Sequence, residues 1–325
     1  MLLILTDKFD EHANLIIKKI KQSNIMFFRL NLDVDSLKYT TVTFDGDKWT
    51  IKTLNGVFNS TDVKCVWARR AFVELTLEEQ NEQNNDFKIW KNEWNKTLLG
   101  LYLNLSDAKW LNPLRKSYKA ENKYLQMQLA KKIGFQMPHT IVSNHNEYLK
   151  EFCFKYNSNV ILKLMSQEFY KTEEGFKGLY VNKINCEDLN DFKEYSENPI
   201  VLQEYIDKLY EVRYTVVGEE HLVCKIDSQK SKIANIDWRR YDIANTPHSI
   251  IEPPKEIRNM VNFLMKELQI EYGALDFIVS KDNQWYFLEI NSMGQWLWIE
   301  ELSGLDISGA IIKWIKKNLQ EERCF

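Results

Sequence analysis

The chain has 325 residues, of which 44% are hydrophobic and 13% aromatic, and this amount of apolar surface argues against an intrinsically disordered protein. Its 43 basic side chains are balanced by 46 acidic ones, so a formal net charge of −3 argues against a broad basic surface for nucleic acid. The length predicts two or three compact lobes.

The first part of the chain predicts a small α/β lobe. Its initial apolar run, at residues 2–5, is too short to span a membrane or to act as a signal segment, and it indicates a buried strand. An Asp-Gly pair at Asp45 and Gly46 separates two short alternating runs, which is typical of a hairpin. The expected strands are 2–5, 27–32, 42–44, 49–51 and 63–67, and a helix is expected at 11–22.

Two helices are predicted next. Apolar side chains recur at spacings of three and four between residues 77 and 103, as on the buried face of a helix. Asn112 and Pro113 interrupt the pattern, and one amphipathic helix is then predicted over 117–133, ending at Gly134. We therefore place a lobe boundary at residue 112.

The remainder predicts a compact α+β lobe to residue 205 and a lobe of longer strands after it. Neither repeats nor low-complexity segments occur. The expected strands are 140–142, 160–163, 179–182, 200–205, 212–217, 222–227, 272–279 and 285–290, and the expected helices are 147–154, 254–268 and 307–319.

The five cysteines are dispersed, without the paired spacing of a zinc site. We therefore expect neither a disulfide nor structural zinc, and reduced thiols in a cytoplasm fit this pattern best. The five are Cys65, Cys153, Cys186, Cys224 and Cys324.

Acidic residues interrupt two apolar strands near the C-terminus. Asp276 lies within ALDFIV, and Glu289 is followed two residues later by Asn291 in WYFLEIN. Residues i and i+2 of a strand share a face, and a hairpin through 281–283 would bring Asp276 beside them. Such hard oxygen ligands suit Mg²⁺ held together with phosphates, whereas the alternative is two ordinary acids facing water at strand ends.

With this pattern the sequence resembles the ATP-grasp superfamily, whose metal site is an Asp on one strand and Glu-x-Asn on the next. The resemblance implies an α/β (α+β) ATP-grasp fold that uses ATP and Mg²⁺. It implies an N-terminal pre-ATP-grasp lobe at 1–112, a central lobe at 113–205 and a C-terminal lobe at 206–325, with the nucleotide between the last two.

The residues that would contact the nucleotide follow from the same resemblance. Lys163 ends a buried strand and can reach phosphates as a point charge, although Leu164 stands where the superfamily usually has proline. Lys123 matches a second lysine, with a solvated side chain as the alternative. The other implied contacts come from a phosphate-covering loop and an adenine-side linker: Gly175, Gly178, Gln203, Glu204, Tyr205, Ile206 and Glu211, with Asp207 as the alternative to Glu211.

Three arginines, Arg213, Arg239 and Arg240, are expected on or beside strands that face the phosphates. A guanidinium group binds phosphate or carboxylate through two parallel hydrogen bonds, so we assign the three a catalytic role. The alternative for each is a surface salt bridge.

Further segments narrow the resemblance to the graspetide ligases, including the microviridin-type macrocyclases, which carry Trp-x-Arg-Arg and Asp-Trp-Arg. The chain has Trp67 to Arg70 and Asp237 to Arg239, but Ala68 and Ala71-Phe72 replace an aromatic residue and a proline. The resemblance also takes in the segment Lys225-Ile226-Asp227-Ser228-Gln229.

Such enzymes activate an Asp or Glu side chain of a ribosomally made precursor as an acyl-phosphate and join it to a Ser or Thr hydroxyl as an ester, or to Lys as an amide. The implied partner is a precursor peptide with a leader and a core rich in Thr/Ser and Asp/Glu. Neither nucleic acid nor membrane is implied, and a homodimer is left open.

Two other functions are retained as alternatives. One is an ATP-grasp ligase that adds amino acids to a protein or small acid, and the other is an inactive, nucleotide-binding regulatory protein. The five histidines lack an acid partner at motif spacing, which disfavours a histidine-based triad. Asp227 or Asp237 is a candidate base toward the acceptor hydroxyl.

Overall fold

The computed structural model describes residues 1–81, 83–165, 169–172, 175–178, 181–231 and 245–320, with the backbone alone for 169–172 and 175–178. The strands are β1 Leu2–Thr6, β2 Phe27–Asn31, β3 Thr41–Phe44, β4 Trp49–Thr53, β5 Gly56–Asn59, β6 Cys65–Ala68, β7 Lys109–Leu111, β8 Thr140–His145, β9 Val160–Lys163, β10 Phe169–Thr172, β11 Gly175–Gly178, β12 Asn182–Ile184, β13 Tyr195–Glu204, β14 Lys208–Val217, β15 Glu220–Ile226, β16 His248–Ile250, β17 Tyr272–Ser280 and β18 Trp285–Asn291. The α-helices are α1 Glu11–Lys21, α2 Val34–Lys38, α3 Leu77–Asn81, α4 Asn85–Asn104, α5 Leu114–Ala120, α6 Lys123–Ile133, α7 Asn146–Lys155, α8 Lys255–Leu268, α9 Leu297–Ser303 and α10 Ile307–Gln320.

The N-terminal lobe is built on a parallel sheet in the order β2-β1-β6-β7, beside an antiparallel sheet β3-β4-β5. All of β1 is buried, which explains its uninterrupted apolar sequence. The predicted hairpin is confirmed, since β3 pairs with β4. The strands β5 and β7 and the helix α2 were not predicted, because each is only three to five residues long.

The helix predicted over 117–133 is wrong as a single element. The structure has α5 and α6 with a break at residues 121–122. The side chain of Asn122 accepts a hydrogen bond from the backbone N–H of Leu125 and thereby caps α6. Lys123 consequently lies in the first turn of a new helix, where its side chain can extend beyond the helix end. The helical stretch at 77–103 is likewise divided into α3 and α4.

The central lobe is an antiparallel sheet in the order β12-β9-β13-β8, covered by α7. A strand was predicted at 179–182, but β12 begins at Asn182, and residues 179–180 lie outside the described part of the chain. Cys153 of α7 and Cys186 form a disulfide, so the expectation of none is wrong. Their separation of 33 residues gave no sequence signal, because only the packing of α7 on the sheet brings them together.

The C-terminal lobe is an antiparallel sheet in the order β16-β15-β14-β17-β18. One face packs its apolar residues against α6 and α8, around Tyr214, Phe277 and Ile290. The other face packs partly against α9, α10 and α1, around Trp296 and Ile311, and leaves its polar residues toward the central lobe. Among the described residues, no helix combines the length and the apolar character needed to cross a bilayer.

Contact between the N- and C-terminal lobes includes His12, whose ring packs edge-on against the buried Trp296 at 4.9 Å between centroids. Burial and the neighbouring Arg69 lower the pKa of His12 to about 3. In the unfolded chain this histidine gains a proton below about pH 6.5, whereas the folded protein resists protonation, so acidification favours unfolding.

We expect the free energy of unfolding to fall as the pH is lowered from about 6.5 toward 3, by up to about 1.4 kcal/mol per pH unit from this residue. Urea unfolding across this range would measure it. His12→Gln should flatten the slope, and an unchanged slope in that variant would show that His12 does not set it.

Candidate active site

Three charged residues form a row across the C-terminal sheet. Arg213 of β14 pairs in register with Asp276 of β17, which pairs with Glu289 of β18, so the three side chains share one face. They are 6%, 8% and 8% exposed. The Nη1 of Arg213 lies 3.1 Å from both carboxylate oxygens of Asp276. Neither acid therefore faces water at a strand end.

Two lysines from other elements meet the third member of this row. The Nζ of Lys123, at the start of α6, lies 2.9 Å from Glu289 Oε2, and the Nζ of Lys163, at the end of β9, lies 3.6 Å from the same oxygen. Glu289 thus joins a helix and a strand that precede its own strand by more than 120 residues. Lys123 is accordingly not a freely solvated side chain.

The cluster suits an anionic ligand. Its three cationic side chains, Lys123, Lys163 and Arg213, outnumber its two carboxylates by one. A triphosphate would replace carboxylate contacts of the lysines with phosphate oxygens, for which ammonium and guanidinium groups are good donors.

The oxygen ligands around this row fit a hard divalent cation. Asn291 lies two residues after Glu289 on the same face, and its Nδ2 donates to Glu289 Oε1 at 3.4 Å, which leaves its Oδ1 as the atom available to a cation. In the described residues, no group of three His, Cys, Asp or Glu side chains forms a metal site by itself. The carboxylate oxygens of Asp276 and Glu289 and the amide oxygen of Asn291 are the kind of ligands that suit Mg²⁺ shared with phosphates.

A cleft opens beside the cluster, between the central and C-terminal sheets. The cleft is open to solvent on one side, and its walls come from both sheets. Most of the residues that were predicted to contact the nucleotide line this cleft: Lys163, Gln203, Glu204, Tyr205, Ile206 and Glu211.

Within the cleft, Glu211 and not Asp207 is the buried acid. Glu211 is 5% exposed and accepts hydrogen bonds from Lys208 Nζ at 2.6 Å and from Ser228 Oγ at 2.8 Å. The side chain of Asp207 is 69% exposed. Lys208 was missed in the sequence, because a register irregularity between Lys208 and Tyr210 breaks the alternation that would have placed it.

The remaining predicted residues are distributed as follows. Gly175 and Gly178 were predicted in a loop, but they are the two ends of strand β11, whose backbone pairs with β10. Arg239, Arg240 and Asp237 lie outside the described residues.

Asp227, the other candidate base, contacts Lys225 at 2.8 Å and Lys230 at 3.3 Å. Burial would raise its pKa, but the hydrogen bonds from these two lysines outweigh burial and lower it. A carboxylate held in its charged form in this way is a weak proton acceptor.

Trp298 was also missed. The guanidinium carbon of Arg213 lies 5.7 Å from its ring centroid, on the side of the row away from Glu289, and the ring of His248 meets the same indole edge-on at 5.8 Å. An aromatic face of this kind stabilises a buried guanidinium group. Its only sequence signal was a tryptophan seven residues after Asn291.

Comparison with known proteins gives the following matches. The profile of the RimK-like ATP-grasp domain matches residues 120–315, and that of the MvdD pre-ATP grasp domain matches residues 1–118. A search of curated protein sequences found no match.

Several solved structures resemble the whole chain, among them the following three. A RiPP-associated ATP-grasp ligase of Chryseobacterium gregarium, in complex with ADP and a leader and core peptide, has a TM-score of 0.86 and 27% identity over 97% of this chain and 96% of that one. Macrocyclase MdnC of Microcystis aeruginosa MRC, bound with precursor peptide MdnA, has a TM-score of 0.85 and 27% identity over 98% and 99%. Macrocyclase MdnB of the same organism has a TM-score of 0.77 and 26% identity over 97% and 98%.

Proposed function

The chain belongs to the RimK-like ATP-grasp family, and from this premise we propose that it is an ADP-forming macrocyclase of a ribosomally made precursor peptide. It activates Asp or Glu side chains of the core and joins them to Ser or Thr hydroxyls as esters, or to Lys as amides. The observation that carries the proposal is the meeting of Lys123, Lys163 and Arg213 around the buried Asp276 and Glu289, beside a cleft between the central and C-terminal sheets.

We assign the nucleotide to that cleft. Gln203 to Ile206 line the wall on which the base would lie, and Glu211, which also lines the cleft, would bind the ribose. Lys163 and Lys123 would bind the phosphates, aided by the glycine-bearing strand from Gly175 to Gly178. The proposal includes three lobes, at residues 1–112, 113–205 and 206–325.

Mg²⁺ would be held by Asp276, Glu289 and Asn291, where it would neutralise phosphate charge. The protein's own contribution is to fix cationic donors around the transferring phosphoryl group before the reaction begins. Arg213 is held by Asp276 and by the face of Trp298, so its guanidinium group is preorganised at the edge of the site. Arg239 and Arg240 are proposed to add further positive charge.

The nucleophile in the first step is the carboxylate of the substrate peptide, which attacks the γ-phosphorus and releases ADP. The acceptor hydroxyl or amine then attacks the acyl carbon and releases phosphate. No enzyme nucleophile is required, and burial raises the pKa of the Cys65 thiol to about 12 and that of Cys224 to about 11, so neither is a thiolate at neutral pH.

The partner is proposed to be a precursor with a leader and a core of Thr/Ser and Asp/Glu, and the site of action the cytoplasm. A peptide partner is supported by two of the structures above, since one is a complex with a leader and core peptide and the other is bound with a precursor peptide.

The test is to incubate the protein with ATP, Mg²⁺ and short precursor-like peptides encoded beside its gene, and to follow peptide mass and nucleotide products. Macrocyclisation predicts the loss of one water and the release of one ADP for each ring. A gain of amino-acid mass would instead identify the amino-acid-adding ligase, and nucleotide binding without ADP release would identify a regulatory protein. Release of AMP in place of ADP would show that the carboxylate is activated by adenylation and not as an acyl-phosphate.

A further inference from the structure

Arg69 connects the N-terminal lobe to the loop that follows the proposed metal-binding strand. It comes directly after β6 and is 4% exposed. Its Nη1 donates to the carbonyl oxygens of Met293 at 3.0 Å and Gly294 at 3.3 Å. These carbonyls are two and three residues after Asn291, although Arg69 precedes them by more than 220 positions.

The guanidinium group is itself held in one orientation. Its Nε donates to Asp10 Oδ2 at 3.3 Å, and that oxygen also accepts from the Thr6 hydroxyl at 2.8 Å. The other oxygen of Asp10 caps α1 by accepting from the backbone N–H groups of His12 and Ala13. The position of Arg69 is therefore set by the end of β1 and the start of α1.

The receiving loop has little room to move. A Cβ atom at Gly294 would lie 2.7 Å from the Cβ of Ala274, so the backbone approaches β17 as closely as glycine allows. The Tyr272 hydroxyl donates to the Gly294 carbonyl at 2.7 Å. Trp296, two residues later, is fully buried against His12.

We propose that Arg69 is a positioning residue that fixes the backbone after β18, and through it the side-chain oxygen of Asn291, for Mg²⁺ and phosphate binding. The inference rests on the proposed role of Asn291 as a metal ligand. The amide group of Asn291 is oriented from one side by Glu289 Oε1 at 3.4 Å, and the backbone that carries it is held from the other side by the N-terminal lobe. The N-terminal lobe would thus influence nucleotide binding through Arg69, without contacting the nucleotide itself.

Arg70 provides a matched control because it follows Arg69 in sequence but lies elsewhere. Its side chain is 37% exposed and its Nε approaches Asp7 at 3.4 Å and Glu74 at 3.6 Å, all within the N-terminal lobe. Arg70→Lys should therefore leave nucleotide binding unchanged.

The test compares Arg69→Lys with the wild-type protein and Arg70→Lys by calorimetric titration with ADP, with and without Mg²⁺ and without any peptide. Lysine keeps the charge beside Asp10 but cannot reproduce the forked set of donors. We expect Arg69→Lys to weaken ADP binding about tenfold in the presence of Mg²⁺ and to leave Mg²⁺-free binding within about twofold. Hydrogen exchange at residues 291–297 should become faster in the same variant.

A folded Arg69→Lys protein that binds ADP with Mg²⁺ as tightly as wild type, or that loses affinity equally without Mg²⁺, would overturn the inference. If circular dichroism shows that this variant does not fold, the double variant Asp10→Asn/Arg69→Met removes both buried charges together and must show the same Mg²⁺-dependent loss. If the wild-type protein binds Mg²⁺ and ADP but leaves precursor peptides unchanged, the macrocyclase proposal is wrong, whereas the proposed role of Arg69 is unaffected.

Discussion

Glu289→Gln combined with Asn291→Ala is expected to leave a folded protein whose ATP-dependent removal of water from the precursor falls by at least about 10³-fold. Loss of a single preorganised electrostatic contact commonly costs 10²- to 10³-fold in turnover, and this variant removes two oxygen ligands at once. Glutamine keeps the shape of Glu289, and Asn291 is the last residue of its strand, so the sheet register should survive. Peptide mass and ADP release would be measured together.

The control for this variant is Asp282→Asn, which neutralises an exposed acid in the turn between the same two strands. It should retain wild-type turnover, since a solvated turn carboxylate contributes little to the site. Binding of ADP in the double variant should also lose its dependence on Mg²⁺. Full turnover in a folded Glu289→Gln/Asn291→Ala protein would show that Glu289 and Asn291 are not the Mg²⁺ ligands.

The residues of the charged row could be predicted because their signal is local. Asp276 and Glu289 each interrupt an apolar strand, and the two-residue periodicity of a strand placed Glu289 and Asn291 on one face, with Ile290 in the core behind them. The turn between the strands was short enough to predict their pairing. What the pattern could not give was the ion pair between Asp276 and Arg213, which are 63 positions apart.

Several features that were missed depend on contacts between distant parts of the chain, although the start of α6 also had a local signal in its capping residue, Asn122. The division between α5 and α6 is stabilised by Gln126, whose side chain donates to the carbonyls of Ala120 and Ile290, and accepts from the Ile290 N–H. A local helical periodicity cannot detect such a contact, because 117–133 looks amphipathic throughout. The buried placement of Arg69 was hidden for the same reason, since its partner loop belongs to another lobe.

Substitution of Arg213 is expected to separate its structural role from its chemical one. Arg213→Met removes the charge next to Asp276, which is 8% exposed, and breaking a buried ion pair from one side commonly costs about 3–5 kcal/mol. We therefore expect urea unfolding to show a loss of that size. Arg213→Met/Asp276→Asn should recover part of it, because the second change removes the carboxylate that was left behind.

Arg213→Lys keeps a positive charge beside Asp276 and should lose much less stability, yet its turnover is expected to fall about 10²-fold, because an ammonium group cannot present the guanidinium fork to a phosphoryl or carboxylate group. Arg258→Lys, the same change at an exposed position of α8, is the matched control for stability and turnover. If Arg213→Lys turned over at the wild-type rate while Arg213→Met was destabilised, Arg213 would serve only as the partner of Asp276. The charge that acts on the reacting groups would then come from other cations, namely the lysines around Glu289 and the proposed Arg239 and Arg240.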